Sequence, residues 1–176
     1  MLARYSKKRL VVSALLGLAI GWIASGVVQA QSVRLLGDFR NWSAYATSDS
    51  AGQLCFAMSK PTDISPQPDG YGDAYLYLTH RPAENIHNEL NLVAGYQFGP
   101  DATASVLVGG QSFSLFTEAD GAWLEDASQS DSLAGDMRAG STLQIEGTTD
   151  NGIKVTQTFS LSGVTAASRA IDAECG

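Results

Sequence analysis

Around Thr149-Asp150-Asn151-Gly152 the chain alternates residue by residue between apolar and polar. After it, Ile153, Val155, Phe159 and Leu161 fall on one side, and Lys154, Thr156, Thr158 and Ser160 on the other. Before it, Leu143, Ile145 and Gly147 alternate in the same way. A period of two puts successive side chains on opposite faces of a pleated strand, and Asn-Gly between two such runs is the strongest short hairpin signal. A second hairpin has the same form, with Val106 and Val108 entering Gly109-Gly110 and Phe113, Leu115 and Thr117 leaving it. Two strong hairpins in the C-terminal half commit that half to antiparallel sheet.

Four more strands are expected, at Phe39–Thr47, Gln53–Ser59, Ala74–His80 and Asn88–Tyr96, all rich in aromatic and β-branched residues. Turn chemistry separates them at Asp49–Gly52, at Pro61–Gly72 with its three prolines, and at Gly99-Pro100-Asp101. Two stretches switch to helical spacing. Asp131–Ala139 sets Leu133 and Met137 one turn apart and stops at Gly140, while Thr165–Glu174 puts Ala167, Ile171 and Cys175 on one stripe. The expected fold is mainly β: an antiparallel β-sandwich, or flattened barrel, of about 8 strands with two short helices, one of them C-terminal. In the strand 53–59, Cys55 points opposite to Leu54, Phe56 and Met58. That strand is therefore expected to be covered on both faces, by the facing sheet and by the last helix.

Residues 1–30 follow other rules. Arg4, Lys7, Lys8 and Arg9 form a basic start, Leu10–Val28 carries no charge, and Val28-Gln29-Ala30 ends the run on small residues. This is the pattern of a secretory signal peptide cleaved before Gln31; the alternative is an uncleaved anchor. Residues 31–176 then form a single β-rich domain of 146 residues, with all 18 acidic but only 7 of the 11 basic groups, a formal charge of −11. A chain of that size can bury about 70% of its unfolded surface. The acidic balance excludes a phosphate-reading, nucleic-acid-binding surface. No membrane span is expected after cleavage. Cys55 and Cys175 both lie in the exported part, where disulfides persist. A structural bridge is expected. The alternatives are two buried thiols or a redox pair, and the adjacent C-x-x-C spacing of redox pairs is absent.

The search for catalytic chemistry is largely negative. G-x-S-x-G, Walker, H-E-x-x-H and G-x-G-x-x-G patterns are missing. Gly110-Gln111-Ser112-Phe113-Ser114 departs from the nucleophile elbow at its last residue and sits in a hairpin arm. The cluster to weigh is Thr79-His80-Arg81-Pro82-Ala83-Glu84-Asn85-Ile86-His87-Asn88-Glu89, which holds both histidines. His80, Glu84 and His87 are ligand types that zinc accepts, but their spacing fits no standard pattern and Pro82 opposes a helix. The plainer reading is a surface cluster of His80, Arg81, Glu84 and His87 at a strand end and turn, with Arg81 paired to a carboxylate. Asp69-Gly70-Tyr71-Gly72-Asp73 lacks the calcium-loop ligand series and reads as a turn. In Asn41-Trp42-Ser43, Trp42 reads as core rather than as part of a glycosylation acceptor. Tyr75 and Tyr77 share one strand face, suited to sheet packing or to the lining of a groove.

In order along the chain come Phe39-x-x-Trp42, Cys55, Tyr75-Leu76-Tyr77-Leu78-Thr79-His80-Arg81-Pro82, Asn88, Gly95-Tyr96, Ser114-Leu115-Phe116-Thr117 and Ala122-Trp123. Met137-x-x-Gly140, Phe159-Ser160-Leu161-Ser162-Gly163, an Ala-rich helix and Cys175 follow. The whole resembles the invasion-associated locus B family of exported bacterial envelope proteins. The resemblance implies a β-rich exported protein without established enzymatic activity or cofactor, and with no catalytic residues to carry over; no metal site is expected. Members nearest the invasion role carry an extra Cys soon after the Trp, which Trp42-Ser43-Ala44-Tyr45 lacks. The expectation is a non-enzymatic periplasmic protein, outer-membrane-associated or secreted in the variant readings. It would act as a binding or envelope-interaction module for an unknown protein or envelope partner, with a link to host interaction implied by the family name. The alternatives are a metal-dependent hydrolase using the His80–His87 region and a structural envelope protein without a specific ligand.

Overall fold

The computed structural model describes residues 32–176; the expected signal peptide lies outside the described residues. Eleven strands form one antiparallel sheet: β1 (Arg34–Phe39), β2 (Trp42–Asp49), β3 (Gly52–Ser59), β4 (Asp63–Ser65), β5 (Tyr75–Arg81), β6 (Ile86–Val93), β7 (Thr103–Val108), β8 (Gln111–Glu118), β9 (Gly121–Leu124), β10 (Thr142–Thr148) and β11 (Lys154–Ser160). The spatial order is β1-β2-β3-β5-β6-β9-β8-β7-β10-β11-β4, with β1 and β4 as open edges. Two helices complete the fold, α1 (Ser130–Ala139) and the C-terminal α2 (Val164–Cys175).

The sheet bends until its two halves enclose one core. The Trp42 indole Nε1 on β2 donates to the Ser160 carbonyl on β11 at 2.9 Å, and Asn41 N donates to Ser162 O at 3.2 Å. Leu76, Leu90 and Leu92 from one half meet Leu115, Ile145 and Phe159 from the other, each fully buried. Leu133 and Met137 of α1 and Ile171 of α2 seal the ends of this core. The result is the sandwich-like, unclosed form of an antiparallel sheet.

The two expected hairpins are present. Gly109 and Gly110 turn between β7 and β8 with φ of 59° and 81°, the left-handed pair that a two-residue type I′ turn requires. The expected strand Phe39–Thr47 is β2 from Trp42 onward, but its start is a tight hairpin turning at Arg40 (φ 61°), so that Phe39 ends β1 and pairs with Trp42. Strands β1, β4 and β9 raise the count from about 8 to eleven. Strand β4, three residues long, pairs with β11 from within the Pro61–Gly72 segment expected to be irregular.

The Cys55–Cys175 disulfide joins β3 to the last residue of α2, with Cα atoms 6.0 Å apart. The stripe Ala167, Ile171 and Cys175 is buried as its spacing predicts, and the sheet under the helix presents small side chains, Ala44, Ala46 and Ala57. Contrary to expectation, among the described residues β3 is not covered on both faces. Helix and core lie together on its Cys55 side, and Leu54, Phe56 and Met58 remain half-buried on the outer side, where none of the other described elements packs over them.

Candidate functional site: an aromatic band on the outer sheet face

The outer side of β3 is one link in a band that crosses six strands. Register pairs Tyr45 of β2 with Phe56 of β3, Met58 of β3 with Tyr77 of β5, Tyr77 with Asn91 of β6, Asn91 with Trp123 of β9, and Trp123 with Phe116 of β8. Because directly paired residues share a face, these side chains all stand on the face away from the core. Tyr45 and Phe56 stack at 5.2 Å between ring centroids, Phe56 meets Tyr77 edge-on at 5.9 Å, and Phe116 stacks on Trp123 at 5.5 Å. Phe116 is 48% exposed, and the other rings are half-buried. Lys60 stands 5.0 Å over the Tyr75 ring and pairs with Asp73, contacts that raise its pKa.

The band is interrupted at β6, where Asn91 and Glu89 replace an aromatic. The result is a hollow of about 200 Å³ between Leu54, Phe56 and Tyr77 on one side and Trp123 on the other, floored by Thr79, Arg81, Glu89 and Asn91. Arg81 Nη2 donates to Glu89 Oε1 at 3.0 Å and lies 2.9 Å from Oε2 of the same carboxylate. Trp123 lies back along its own strand over Gly121, where a Cβ would sit 2.7 Å from the ring's Cζ3. A glycine covered by the aromatic two residues on is a recognised way of packing a sheet surface. With the Asn91 amide oriented to satisfy its neighbours, its oxygen accepts from the Trp123 indole Nε1–H at 3.0 Å. Burial raises the pKa of the Tyr77 hydroxyl, so it stays a neutral donor across the physiological range. Two larger hollows, of about 520 and 500 Å³, are lined by polar loop and strand residues around Asp150 and around Glu146. The first of these takes in Asp69, Gly70, Gly72 and Asp73.

The structure divides the expected surface cluster of His80, Arg81, Glu84 and His87. His80 is not at the surface: it is 2% exposed, paired in register with Cys55 and turned to the α2 side of β5. Its Nδ1 lies 3.3 Å from Nδ1 of the exposed His87, and its Nε2 lies 3.4 Å from Asp172 of α2 without good hydrogen-bond alignment. One tautomer pair suits both contacts, with His87 donating from Nδ1 and His80 carrying its proton on Nε2 toward Asp172. Glu84 does not join them; it makes a 3.4 Å ion contact with Arg81 Nε. The zinc set His80, Glu84 and His87 is therefore not assembled. Among the described residues, no group of three or more His, Cys, Asp or Glu side chains is placed to hold a metal ion.

Burial lowers the pKa of His80, and His87 adds to the effect, while Asp172, Asn88 and Asp131 oppose it. With the folded value below the unfolded one of about 6.5, the unfolded chain binds the extra proton first as pH falls. Stability contributed by neutral His80 is thus full above about pH 7 and drains away as pH drops toward the folded pKa. We expect the melting temperature to fall between about pH 7 and pH 5 and a His80→Phe variant to lose most of that slope. Thermal melts in matched ionic strength read this directly, and a slope unchanged in the variant would assign it to other groups.

The family model for the invasion associated locus B protein matches residues 42–172. The chain belongs to the invasion associated locus B family. Among solved structures, the invasion associated protein B of Bartonella henselae matches with a TM-score of 0.57 at 13% identity. The match covers 78% of this chain and 95% of that one. At that identity the likeness shows a shared fold. No curated protein matches the chain.

In this invasion associated locus B chain, one sequence block supplies both of the features described above. Within Tyr75–Arg81, Tyr75, Tyr77, Thr79 and Arg81 face outward into the band, while Leu76, Leu78 and His80 face inward. Alternation separates two environments that lie one residue apart in the chain. The Ala122-Trp123 pair divides the same way, with Ala122 fully buried and Trp123 on the outer face.

Proposed function

We propose that this chain is a non-enzymatic binding module of the bacterial envelope. In this reading, residues 1–30 are a signal peptide removed on export to the periplasm, and the outer sheet face meets the partner. The observation that carries it is the row of half-exposed Tyr45, Phe56, Tyr77, Trp123 and Phe116 on a face over which none of the other described elements packs. Aromatic residues, Met and Arg are the types that concentrate binding energy at interfaces, and the band holds all of them, with Met58 and Arg81 among the rings. Family membership supports export and gives no catalytic residues to carry over. The word invasion belongs to the named Bartonella henselae protein; for this chain a link to host interaction is part of the proposal. No specific observation favours the hydrolase reading, since its ligand set is not brought together.

Two measurements test the proposal. Intact-mass analysis of the purified protein is expected to give a chain beginning at Gln31, and one beginning at Met1 would remove the cleavage claim and favour a retained anchor. A photo-reactive benzoylphenylalanine at Phe116 is expected to cross-link a discrete product in living cells. The same probe at Asn151, on the exposed β10–β11 turn, is expected not to. Equal labelling at both sites, or at neither, would leave the band as ordinary sheet surface and favour a structural envelope protein without a ligand.

A further inference from the structure

We propose that the hollow between Tyr77 and Trp123 is a carbohydrate subsite that holds one uncharged pyranose ring of a glycan chain. The inference rests on the outer face being the binding face and adds the chemistry of what binds there. Its first support is shape. At about 200 Å³ the hollow is below the roughly 300–1,000 Å³ of sites for drug-sized ligands, and suits a single ring. It is open to solvent on the outer sheet face.

The second support is the mixture of walls and floor. The sides are aromatic and aliphatic, Leu54, Phe56, Tyr77 and Trp123, and the floor is polar, Thr79, Arg81, Glu89 and Asn91. A wholly apolar ligand would strip water from that floor and leave its groups unpartnered, which is costly. A pyranose meets both demands, with C–H faces to lie on rings and hydroxyls at its rim to donate and accept. Trp123 is placed for the first role, because its half-buried indole, resting over Gly121 and stacked with Phe116, forms one wall of the hollow. Thr79 offers a hydroxyl, and Glu89 and Arg81, paired through the Arg81 Nη2 hydrogen bond to Glu89 Oε1, offer an acceptor and a donor for adjacent hydroxyls.

The third support is charge. Arg81 is already shared between Glu89 and Glu84, so the hollow offers no free cation to an anionic sugar. Glu118 lies two residues after Phe116 at the end of β8, Glu125 follows two residues after Trp123 just beyond β9, and residues 31–176 carry a formal charge of −11. An acidic polymer is repelled from such a surface, and an uncharged one is not.

The test titrates the full chain with cellohexaose, chitohexaose and, as the anionic comparison, hexagalacturonate, read by calorimetry and tryptophan fluorescence. At least one neutral oligosaccharide is expected to saturate, with hexagalacturonate at least about tenfold weaker. Trp123→Ala is expected to weaken the neutral ligand about tenfold or more in protein that still unfolds cooperatively above the titration temperature. Thr79→Val, close in shape, is the second variant, and removes a hydroxyl without opening the sheet surface. The inference is overturned if no neutral ligand saturates by about 10 mM, or if both variants bind like the parent. If the glycans fail while the cross-link from Phe116 persists and is lost in Trp123→Ala, the binding face stands and the sugar does not. If the cross-link is also missing, both readings fall together.

Discussion

Reducing the Cys55–Cys175 bridge is expected to cost roughly 4–5 kcal/mol of stability, a large share of the 5–15 kcal/mol typical of a whole domain. The bridge spans 120 residues, so almost the entire described chain lies inside the loop it closes. In the chain-entropy account, the longer the loop, the more unfolded conformations the link removes. For a domain of this size that corresponds to a fall in melting temperature of about 10–15 °C. The native state itself should change little. Val164, Ala167 and Ile171 keep α2 docked on the sheet through buried apolar surface, each at most 1% exposed. Helix loss would therefore begin at Cys175, and limited proteolysis of the reduced protein should cut first in the last turn of α2. A Cys55→Ser/Cys175→Ser double variant melting within a degree or two of the parent would show the bridge to be energetically idle.

How far the sequence foretold this architecture follows from how far each signal reaches. The β7–β8 and β10–β11 hairpins were legible because glycine turns and alternation reinforce each other within a dozen residues. The α2 stripe was legible because Ala167, Ile171 and Cys175 lie four residues apart along one face. Strand β9 was not, because Gly121–Leu124 is too short to show a period, and β4 is only three residues long. The Phe39–Thr47 run misled because a hairpin turning on Arg40 and Asn41 contains no glycine or proline to mark it. Gln157 broke the apolar side of β11 and was passed over. It is fully buried, with Nε2 donating to Ala94 O at 2.8 Å and to the Tyr71 hydroxyl at 2.7 Å. Its role depends on partners 63 and 86 residues away, beyond any local pattern.

The candidate site was half legible for a related reason. Leu54-Cys55-Phe56-Ala57-Met58 is apolar at every position, and periodicity cannot tell a strand buried on both faces from one with an aromatic face left open. Tyr75 and Tyr77 could be placed on one face, but that Phe56, Trp123 and Phe116 join them is a matter of strand order. Sequence neighbours β6 and β7 are not neighbours in the sheet; β9 and β8 lie between them. The histidines carried the opposite error. Their polar surroundings in sequence suggested a surface cluster, whereas alternation along β5 turns His80 inward.

Gly163→Ala is expected to be the most damaging glycine-to-alanine change among the described residues. Gly163 caps the start of α2 with φ of 104°, a conformation that L side chains rarely adopt. A Cβ there would collide with the Phe39 carbonyl oxygen and lie 2.7 Å from the carbonyl carbon. The obstacle is backbone, and it cannot rotate away as a side chain can. It lies at the β1–β2 corner, which is tied to the same segment by the Asn41–Ser162 and Trp42–Ser160 hydrogen bonds. Strain at the dihedral costs about 1–3 kcal/mol and forced displacement of packed backbone about 1–3 kcal/mol more, with the Trp42 anchor at risk besides. Gly152→Ala separates the two contributions. That residue also has a positive φ, of 78°, but open space surrounds its missing Cβ. It should lose only the roughly 1–2 kcal/mol of a left-handed L-residue. Chemical denaturation of the two variants should therefore give very different midpoints, with Gly163→Ala near the limit of folding. Equal losses would mean that the β1–β2 corner yields to α2 freely, and that the close approach of Gly163 to Phe39 does little to hold the sheet's two ends together.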